Sequence, residues 1–327
     1  MIMISKFHQN ILTSINLETV KHNIDNISRT KAYQNIYINH KEIKWAFLAS
    51  MVSRNAGWNM TDLQLEPLKT FLSKKVKSNL FATYERANWL IFSDAYPQLL
   101  LYESSKKFGE PLFHLLPYFH VSKFMQKEWC YFWKSQDHNR LVTALIINEQ
   151  NVIQKPVIQQ PFFKKKVFHG YQYLIQDFFH MSAVLFPTVH GKVYGSYVHD
   201  FSNLTKRISL GKKLASLMFH PDYYPDFYTF AKVSEPIGSR YEYEQYFTTP
   251  SAKTPMLRAL YPIITHKDKI RKDWYISGSS LKKRWWKPVH PHFSQDVSHR
   301  FYAKRHGLLA IQNMASAYQA TKVDKKP

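Results

Sequence analysis

Apolar residues recur at helical spacing through the first part of the chain. The densest stretch lies in residues 41–53, where the apolar positions are Ile43, Trp45, Ala46, Phe47, Leu48, Ala49 and Met51. An apolar surface this wide predicts a helix that the rest of the protein nearly encloses. Gly57 is expected to end that helix, because glycine adopts the left-handed C′ conformation at little cost.

A second helix is predicted over residues 95–108 from the residues at its ends. Asp94 can accept hydrogen bonds from the first backbone amides, and Pro97 falls in the first turn, where its missing N–H costs nothing. Gly109 follows the last residue and suits the left-handed conformation that closes many helices. The sequence therefore predicts a helix that begins after Asp94 and ends at Phe108.

Two more helices follow from the same signals. Asp137 precedes a predicted helix over residues 140–151, whose leucines and isoleucines share one face. Apolar residues between 204 and 218 predict another, which His220-Pro221 should stop because proline cannot continue a helix.

The pattern changes after Pro221, where prolines become frequent. They stand at Pro225, Pro236, Pro250, Pro255, Pro262, Pro288 and Pro291, and aromatic residues are interspersed with them. We expect a mainly α fold with a multi-helix globular core over residues 1–220 and a Pro- and aromatic-rich, partly irregular C-terminal lobe over residues 221–327. The lobe should pack on the core, and the alternative is one continuous domain.

The composition indicates an ordered protein and limits the cofactors and the cellular compartment that we expect. Hydrophobic residues make up 45% of the 327 and aromatic residues 16%, so most of the chain can bury a core and is not intrinsically disordered. We predict no cofactor, because neither the dinucleotide fingerprint nor the P-loop is present and there are only 9 glycines. Cys130 is the single cysteine, and no signal peptide or apolar stretch of ~20 residues is seen. These features predict a cytoplasmic protein without a transmembrane segment.

Positive charge is concentrated near the C-terminus. The net charge is +22, and residues 251–327 hold 16 basic and 4 acidic side chains against 29 and 19 in residues 1–250. The most basic stretch there is Lys282-Lys283-Arg284-Trp285-Trp286-Lys287. Cations release counterions from a phosphate backbone and an indole can stack on a base, so this segment suits nucleic acid. The alternatives are a solvated turn whose tryptophans fill the core, and an anchor on an anionic membrane surface.

A polar cluster directly follows the first predicted helix. It contains Arg54, Asn55, Trp58 and Asn59, and a second polar cluster later in the chain contains Arg240 and Glu242. Such groups can line a pocket for an anionic small molecule, or they can cap a helix end and form an internal ion pair in which Glu242 or Glu244 neutralises Arg54 or Arg240. Convergence in a cleft would favour an enzyme, and full enclosure in pairs would disfavour it.

Histidines cluster after residue 289, at His290, His292 and His299. His290 and His292 could face one ion from an extended segment, since side chains two residues apart project to the same side. We predict no metal site there, because no carboxylate-bearing metal motif accompanies them and the chain has 16 histidines.

The run from Trp45 to Met60, together with residues 238–244 (Gly-Ser-Arg-Tyr-Glu-Tyr-Glu), resembles the YppC-like family of uncharacterised proteins from spore-forming bacteria. The resemblance spans nearly the whole chain. It implies a full-length cytosolic bacterial protein, and it brings no catalytic residues with it.

The residues therefore favour a polyanion-binding protein, with nucleic acid as the first candidate partner, acting through the basic C-terminal part. An enzyme with a pocket around Arg54, Asn55, Trp58 and Arg240 is the competing hypothesis. A peripheral membrane or cell-envelope scaffold is the third.

Overall fold

The protein is described from a computed structural model that covers residues 5–65, 72–161, 183–197, 202–247, 254–267, 271–276, 281–289 and 296–303. The helices are α1 (Lys6–His22), α2 (Asn26–Asn39), α3 (Lys44–Asp62), α4 (Lys74–Phe108), α5 (Lys123–Ser135), α6 (His138–Val152), α7 (Leu204–Met218), α8 (Tyr224–Val233), α9 (Tyr241–Glu244), α10 (Leu257–Leu260) and α11 (Lys283–Trp286). A 3-10 helix covers Phe113–Phe119 and a π-helical turn covers Gln154–Ile158. The strands are β1 (Ala183–Pro187) and β2 (Val193–Tyr197).

Helix α3 lies at the centre of the apolar core. Trp45, Phe47, Met51 and Trp58 on different sides of this helix are all fully buried, which confirms the predicted enclosure. The prediction that Gly57 ends the helix is wrong, because α3 continues to Asp62. Gly57 serves close packing instead: a Cβ atom at this position would lie 3.2 Å from the Cα of Gly238.

Helix α4 is much longer than the predicted helix over residues 95–108. The helix ends as expected at Phe108, with Gly109 at φ 73°. It begins, however, at Lys74, and Ser73 is its N-cap. Asp94 is therefore no N-cap, and Pro97 lies in the helix interior.

The irregularity at Pro97 is compensated by a residue far along the chain. Proline has no N–H to bond the carbonyl of Ser93, four residues earlier. Arg271 occupies this position: its guanidinium donates to the Ser93 carbonyl at 3.3 Å and to the Leu90 carbonyl at 3.2 Å, and it lies 3.8 Å from a carboxylate oxygen of Asp94. A remote side chain thus supplies the missing donor.

The other predicted helices are confirmed. Asp137 accepts from the amide of Arg140 at 2.9 Å and begins α6. Helix α7 ends at Met218, just before His220-Pro221.

The two strands form an antiparallel hairpin that α3 holds in place. Leu185 of β1 pairs with Gly195 of β2. On the side of Leu185 away from β2, the side-chain amide of Asn55 accepts from the Leu185 N–H at 2.7 Å and donates to the Leu185 carbonyl at 2.8 Å. Asn55 therefore acts as a strand neighbour for β1.

The described C-terminal segments are short helices and irregular stretches, as expected. The described elements are helices apart from the two short strands, so the expected mainly α fold is confirmed. Trp285 and Phe301 belong to the same apolar cluster as α3, which ties these segments to the helices. Within the described ranges, no helix has the length and hydropathy needed to cross a membrane. The division at residue 220 stays a prediction.

Candidate functional site: two basic clefts and a closed ion-pair network

The two tryptophans of the basic segment Lys282–Lys287 have different environments. Trp285 is buried, and its indole N–H donates to the Thr205 hydroxyl of α7 at 3.1 Å. Trp286 is only partly buried. The four cations that flank the tryptophans, Lys282, Lys283, Arg284 and Lys287, are all exposed. One tryptophan therefore anchors the segment, and the other lies at the surface with the positive charges.

Lys212 fixes the backbone of this segment from α7. Its ammonium group donates to the carbonyls of Trp285 at 2.8 Å and Lys287 at 2.7 Å. Lys212 is buried, and burial lowers the pKa of its ammonium group. The last carbonyls of the four-residue helix α11 have no backbone N–H groups to bond, and the Lys212 ammonium group donates in this region instead.

Trp286 forms part of the wall of a cleft of about 680 Å³ between α6, α7 and the basic segment, here called the Trp286 cleft. The guanidinium of Arg140 lies 4.9 Å from the centre of the Trp286 ring and 4.5 Å from that of Tyr131. Glu128 holds Arg140 through hydrogen bonds of 2.7 and 2.9 Å. The indole face is therefore fixed in orientation by a stacked, paired arginine.

Positive charge dominates the lining of the Trp286 cleft. Besides Arg140, the lining cations are Lys44, Lys212 and Lys287, and Asp137 is the acidic residue in the lining. Lys44 lies over the ring of Phe219 at 5.4 Å. The cleft thus combines aromatic surface with several ammonium groups, the combination that suits a phosphate backbone with bases attached.

A second cleft of about 730 Å³ lies between α4, α6, Lys267 and residues 271–274, here called the Trp274 cleft. Its lining carries five cations, Arg86, Lys155, Lys267, Arg271 and Lys272, and two acidic residues, Asp94 and Asp273. Phe124 of α5 packs against a tryptophan of each cleft, since its ring lies 5.3 Å from that of Trp274 and 6.0 Å from that of Trp286.

A buried polar network forms the floor of the Trp274 cleft. Asp94 accepts from Gln98 at 2.7 Å and from Asn148 at 2.6 Å, and Trp274 donates to Asn148 at 2.9 Å. Burial raises the pKa of the Asp94 carboxyl. Since the carboxyl is hydrogen-bonded and close to Arg271, the network connects α4, α6 and residues 271–276.

The structure brings the predicted Arg54 cluster together, but in a closed form. Arg54 pairs with Glu242, and neither side chain has any exposed surface. Arg54 also donates to the carbonyl of Ser234, and its guanidinium lies 4.7 Å from the Phe230 ring. Within the described part of the chain, one nitrogen of Arg54, Nη1, has no hydrogen-bond partner.

Arg240 forms the second half of this network. It donates to Asp62 at 2.7 Å, to the Tyr243 hydroxyl at 2.7 Å and to Asn59 at 3.0 Å. The Trp58 ring packs on Tyr243 at 4.9 Å, and its indole N–H has no partner among the described residues. Asn55 is bonded to β1, and both arginines have carboxylate partners. The charged groups are therefore enclosed and paired, the arrangement that disfavours a substrate pocket.

The histidine cluster lies largely outside the described residues. His290 and His292 lie outside the described residues, and His299 is exposed. Among the residues that the structure describes, no three His, Cys, Asp or Glu side chains are placed to share a metal ion.

Sequence reasoning missed the residues that complete the clefts. Lys44, Arg140, Lys212 and Trp274 come from four separate segments, and nothing in their local sequence marks them. It also missed Glu149, which lines a small pocket of about 120 Å³. The one available signal was its place two residues after the apolar run Ala144–Ile147, near the end of a helix face that the sequence predicts to point inward.

Comparison with known proteins agrees with the resemblance noted above. A family model described as "Protein of unknown function (DUF2515)" matches residues 21–308. An uncharacterised protein, YppC of Bacillus subtilis strain 168, is 48% identical over 278 residues, which is 85% of this chain and 86% of that protein. No solved structure matches.

Proposed function

The chain belongs to the DUF2515 family of proteins of unknown function, and we propose that it binds a polyanion, nucleic acid first, through the Trp286 cleft and the basic segment Lys282–Lys287. The observation that carries the proposal is the partly exposed, arginine-stacked Trp286 in a cleft lined by Lys44, Lys212 and Lys287. The Trp274 cleft offers a second group of cations, and Phe124 packs against a tryptophan of each cleft.

The physical basis is the combination of a flat aromatic face and cations. An indole stacks on any base, and each base that stacks contributes roughly 1–3 kcal/mol. Lysines along the path contact phosphates without reading the sequence, so binding should tolerate many sequences and weaken steeply with salt. Single strands fit best, because only unpaired bases are free to stack on a side chain.

The test measures binding of fluorescent single-stranded DNA and RNA of about 20 nucleotides by anisotropy across a salt series. We expect salt-dependent binding by the parent protein. The variant Lys282→Glu/Lys283→Glu/Arg284→Glu/Lys287→Glu should lose it, because four exposed cations are replaced by charges that repel phosphate.

A matched control separates this surface from the effect of net charge. Lys6→Glu/Lys74→Glu/Lys75→Glu/Lys107→Glu changes the charge equally at four other exposed lysines and should keep most of the binding. Equal losses in the two variants, or no binding by the parent at low salt, contradict the proposal. Sedimentation with anionic but not neutral vesicles, without oligonucleotide binding, would support a membrane surface instead.

A further inference from the structure

The Trp274 cleft has the size of a small-molecule site and is distinct from the Trp286 cleft. Its volume of about 730 Å³ lies within the range of about 300–1,000 Å³ that is typical of ligand pockets. Its walls include α4, the end of α6 with the π-helical turn that follows, and residues 271–274. The two clefts share no lining residue. A ligand in the Trp274 cleft would therefore be recognised independently of the polyanion surface.

Three lysines of the Trp274 cleft have no carboxylate partner among the described residues. Lys155 belongs to the π-helical turn, and Lys267 and Lys272 lie in the irregular C-terminal part. All three side chains are exposed, and no ion pair joins any of them to a described Asp or Glu. An ammonium group is a compact charge with three donors and binds phosphate oxygens well. The three lysines can therefore bind an anionic ligand from two sides of the cleft.

The two arginines of the lining are held in the wall by contacts within the protein. Arg271 donates to three backbone carbonyls of α4 and the 3-10 helix, at 3.2 to 3.4 Å. The guanidinium of Arg86 lies 4.7 Å from the centre of the Trp89 ring. Fixed charges in a cleft raise the local concentration of ions of the opposite sign. The arginines thus add positive potential to the cleft behind the three lysines.

The two acidic residues of the lining are bonded to other parts of the protein. Asp94 is 3% exposed and lies 3.8 Å from Arg271, within the hydrogen-bond network described above. Asp273 accepts from the backbone amides of Lys123 at 2.9 Å and Tyr275 at 2.9 Å. Five cations therefore surround the cleft against two carboxylates, and the lining carries an excess of positive charge.

The Trp274 cleft also has an aromatic and apolar wall. Trp274 contributes its indole, which the bond to Asn148 at 2.9 Å and the Phe124 ring at 5.3 Å hold in one orientation. Leu90 of α4 and Val152 of α6 add apolar surface. Such a wall favours the ring of an organic ligand, because aromatic rings stack on one another and bury apolar surface. An inorganic anion would leave this part of the cleft without a contact.

We infer that the Trp274 cleft binds a free nucleotide that carries two or more phosphate groups. The phosphates would accept from the ammonium groups of Lys155, Lys267 and Lys272, while the base lies against Trp274 and the apolar wall. Three ammonium groups match the charge of a diphosphate better than that of a single phosphate. Since the sequence has no P-loop, side chains and not a glycine-rich loop would hold the phosphates.

Calorimetric titration with ADP tests the inference, and adenosine and inorganic pyrophosphate represent the two halves of the ligand. We expect one site per chain for ADP, with a dissociation constant below about 1 mM. Each half should bind at least about tenfold more weakly, because adenosine lacks the charge and pyrophosphate lacks the ring. Absence of ADP binding at millimolar concentration overturns the inference. Pyrophosphate binding as tight as that of ADP also overturns it, since the ring would then contribute nothing.

Two lysine variants with equal charge link ADP binding to the cleft. Lys155→Gln/Lys272→Gln removes two of the three ammonium groups and should weaken ADP binding at least about tenfold. Lys75→Gln/Lys134→Gln is the matched control, because these lysines are exposed and line neither basic cleft, and it should bind ADP as the parent does. All four positions except Lys155 and Lys272 are remote from the lining, so equal affinities in the two variants contradict the inference.

Two tryptophan variants without any charge change separate the clefts. Trp274→Leu should weaken ADP binding about fivefold or more through the loss of stacking, whereas Trp286→Leu should leave it unchanged. If only Trp286→Leu weakens ADP binding, the nucleotide binds in the Trp286 cleft and the inference is wrong. The lysine variants decide the matter if Trp274→Leu does not fold. Failure of the oligonucleotide test would contradict the polyanion proposal and leave the expected ADP binding unchanged.

Discussion

The guanidinium of Arg54 pairs with the carboxylate of Glu242, 188 residues later in the chain, at a position closed to solvent. The other carboxylate oxygen of Glu242 accepts from the amides of Ile237 at 2.8 Å and Gly238 at 2.7 Å. Arg54 also donates to the Ser234 carbonyl. A single ion pair therefore locks the turn before α9 onto the central helix.

Removal of one partner of this pair should be strongly destabilising. Glu242→Ala leaves the Arg54 charge buried without its counter-ion and frees three backbone amides, so we expect a loss of roughly 3–5 kcal/mol in the free energy of unfolding. Lys31→Ala is the control, because the Lys31–Glu235 pair is exposed and its loss should cost less than about 1 kcal/mol. Urea unfolding measures both, and similar values for the two variants would contradict the prediction.

Lys212 should affect polyanion binding more than its charge alone predicts. Lys212→Met removes the donors to the Trp285 and Lys287 carbonyls, so the Trp285 amide should exchange its hydrogen faster and the basic segment should bind oligonucleotides more weakly. Lys213→Met removes the same charge from a neighbouring, partly exposed position. Hydrogen exchange and anisotropy compare the variants, and equal effects would show that Lys212 contributes only charge.

Trp286 should contribute by stacking on bases. Trp286→Leu keeps an apolar side chain but removes the indole face, so the dissociation constant for single strands should rise about 5- to 150-fold, the equivalent of roughly 1–3 kcal/mol. Trp286→Phe should recover part of the loss. The dependence on salt should stay nearly the same, because no cation is removed. A reduced salt dependence with no change in affinity at low salt would count against stacking.

Glu149 should make stability depend on pH. Its folded-state pKa of about 7 exceeds the ordinary 4.5, so the folded protein holds a proton that the unfolded chain has lost. The contribution of this proton to the free energy of unfolding is fully present below pH 4.5 and disappears as the pH rises through 7. Glu149→Gln should flatten that part of the pH profile and raise stability at pH 8 by roughly 1–3 kcal/mol. Parallel profiles for variant and parent would contradict the assignment.

Arg271 and Pro97 should be coupled. Arg271→Met leaves the Ser93 carbonyl without the donor that Pro97 cannot supply, and we expect a loss of roughly 1–3 kcal/mol. In the background of Pro97→Ala, whose backbone N–H can bond that carbonyl, the same change should cost less. A double-mutant cycle from urea unfolding measures the coupling, and strict additivity would show that Arg271 acts elsewhere.

Residues adjacent to a helix end in the sequence predicted that end correctly where those same residues form it. Asp137 does cap α6, and Gly109 does follow the last residue of α4. The false start at Asp94 arose because an aspartate followed by a proline imitates a helix N-terminus. The donor that bonds the Ser93 carbonyl in place of the missing Pro97 N–H is the side chain of Arg271, which no short window of sequence contains.

The same limit applies to the sites. The basic segment was visible because its residues are adjacent, and the pairing of Glu242 with Arg54 was one of the predicted arrangements. The Trp286 cleft was not visible, since Lys44, Arg140 and Lys212 meet only after the helices pack. Their convergence depends on long-range contacts that residue type alone does not encode.

The contact between Arg271 and the Ser93 carbonyl also has a meaning for synthesis on the ribosome. The chain emerges from its N-terminus, so the whole of α4 leaves the ribosome long before Arg271 does. Until Arg271 is available, the Ser93 carbonyl must form its hydrogen bond with water. The segment around Pro97 therefore cannot yet be buried as it is in the folded protein. The middle of the longest described helix is therefore completed late, when the last part of the chain arrives.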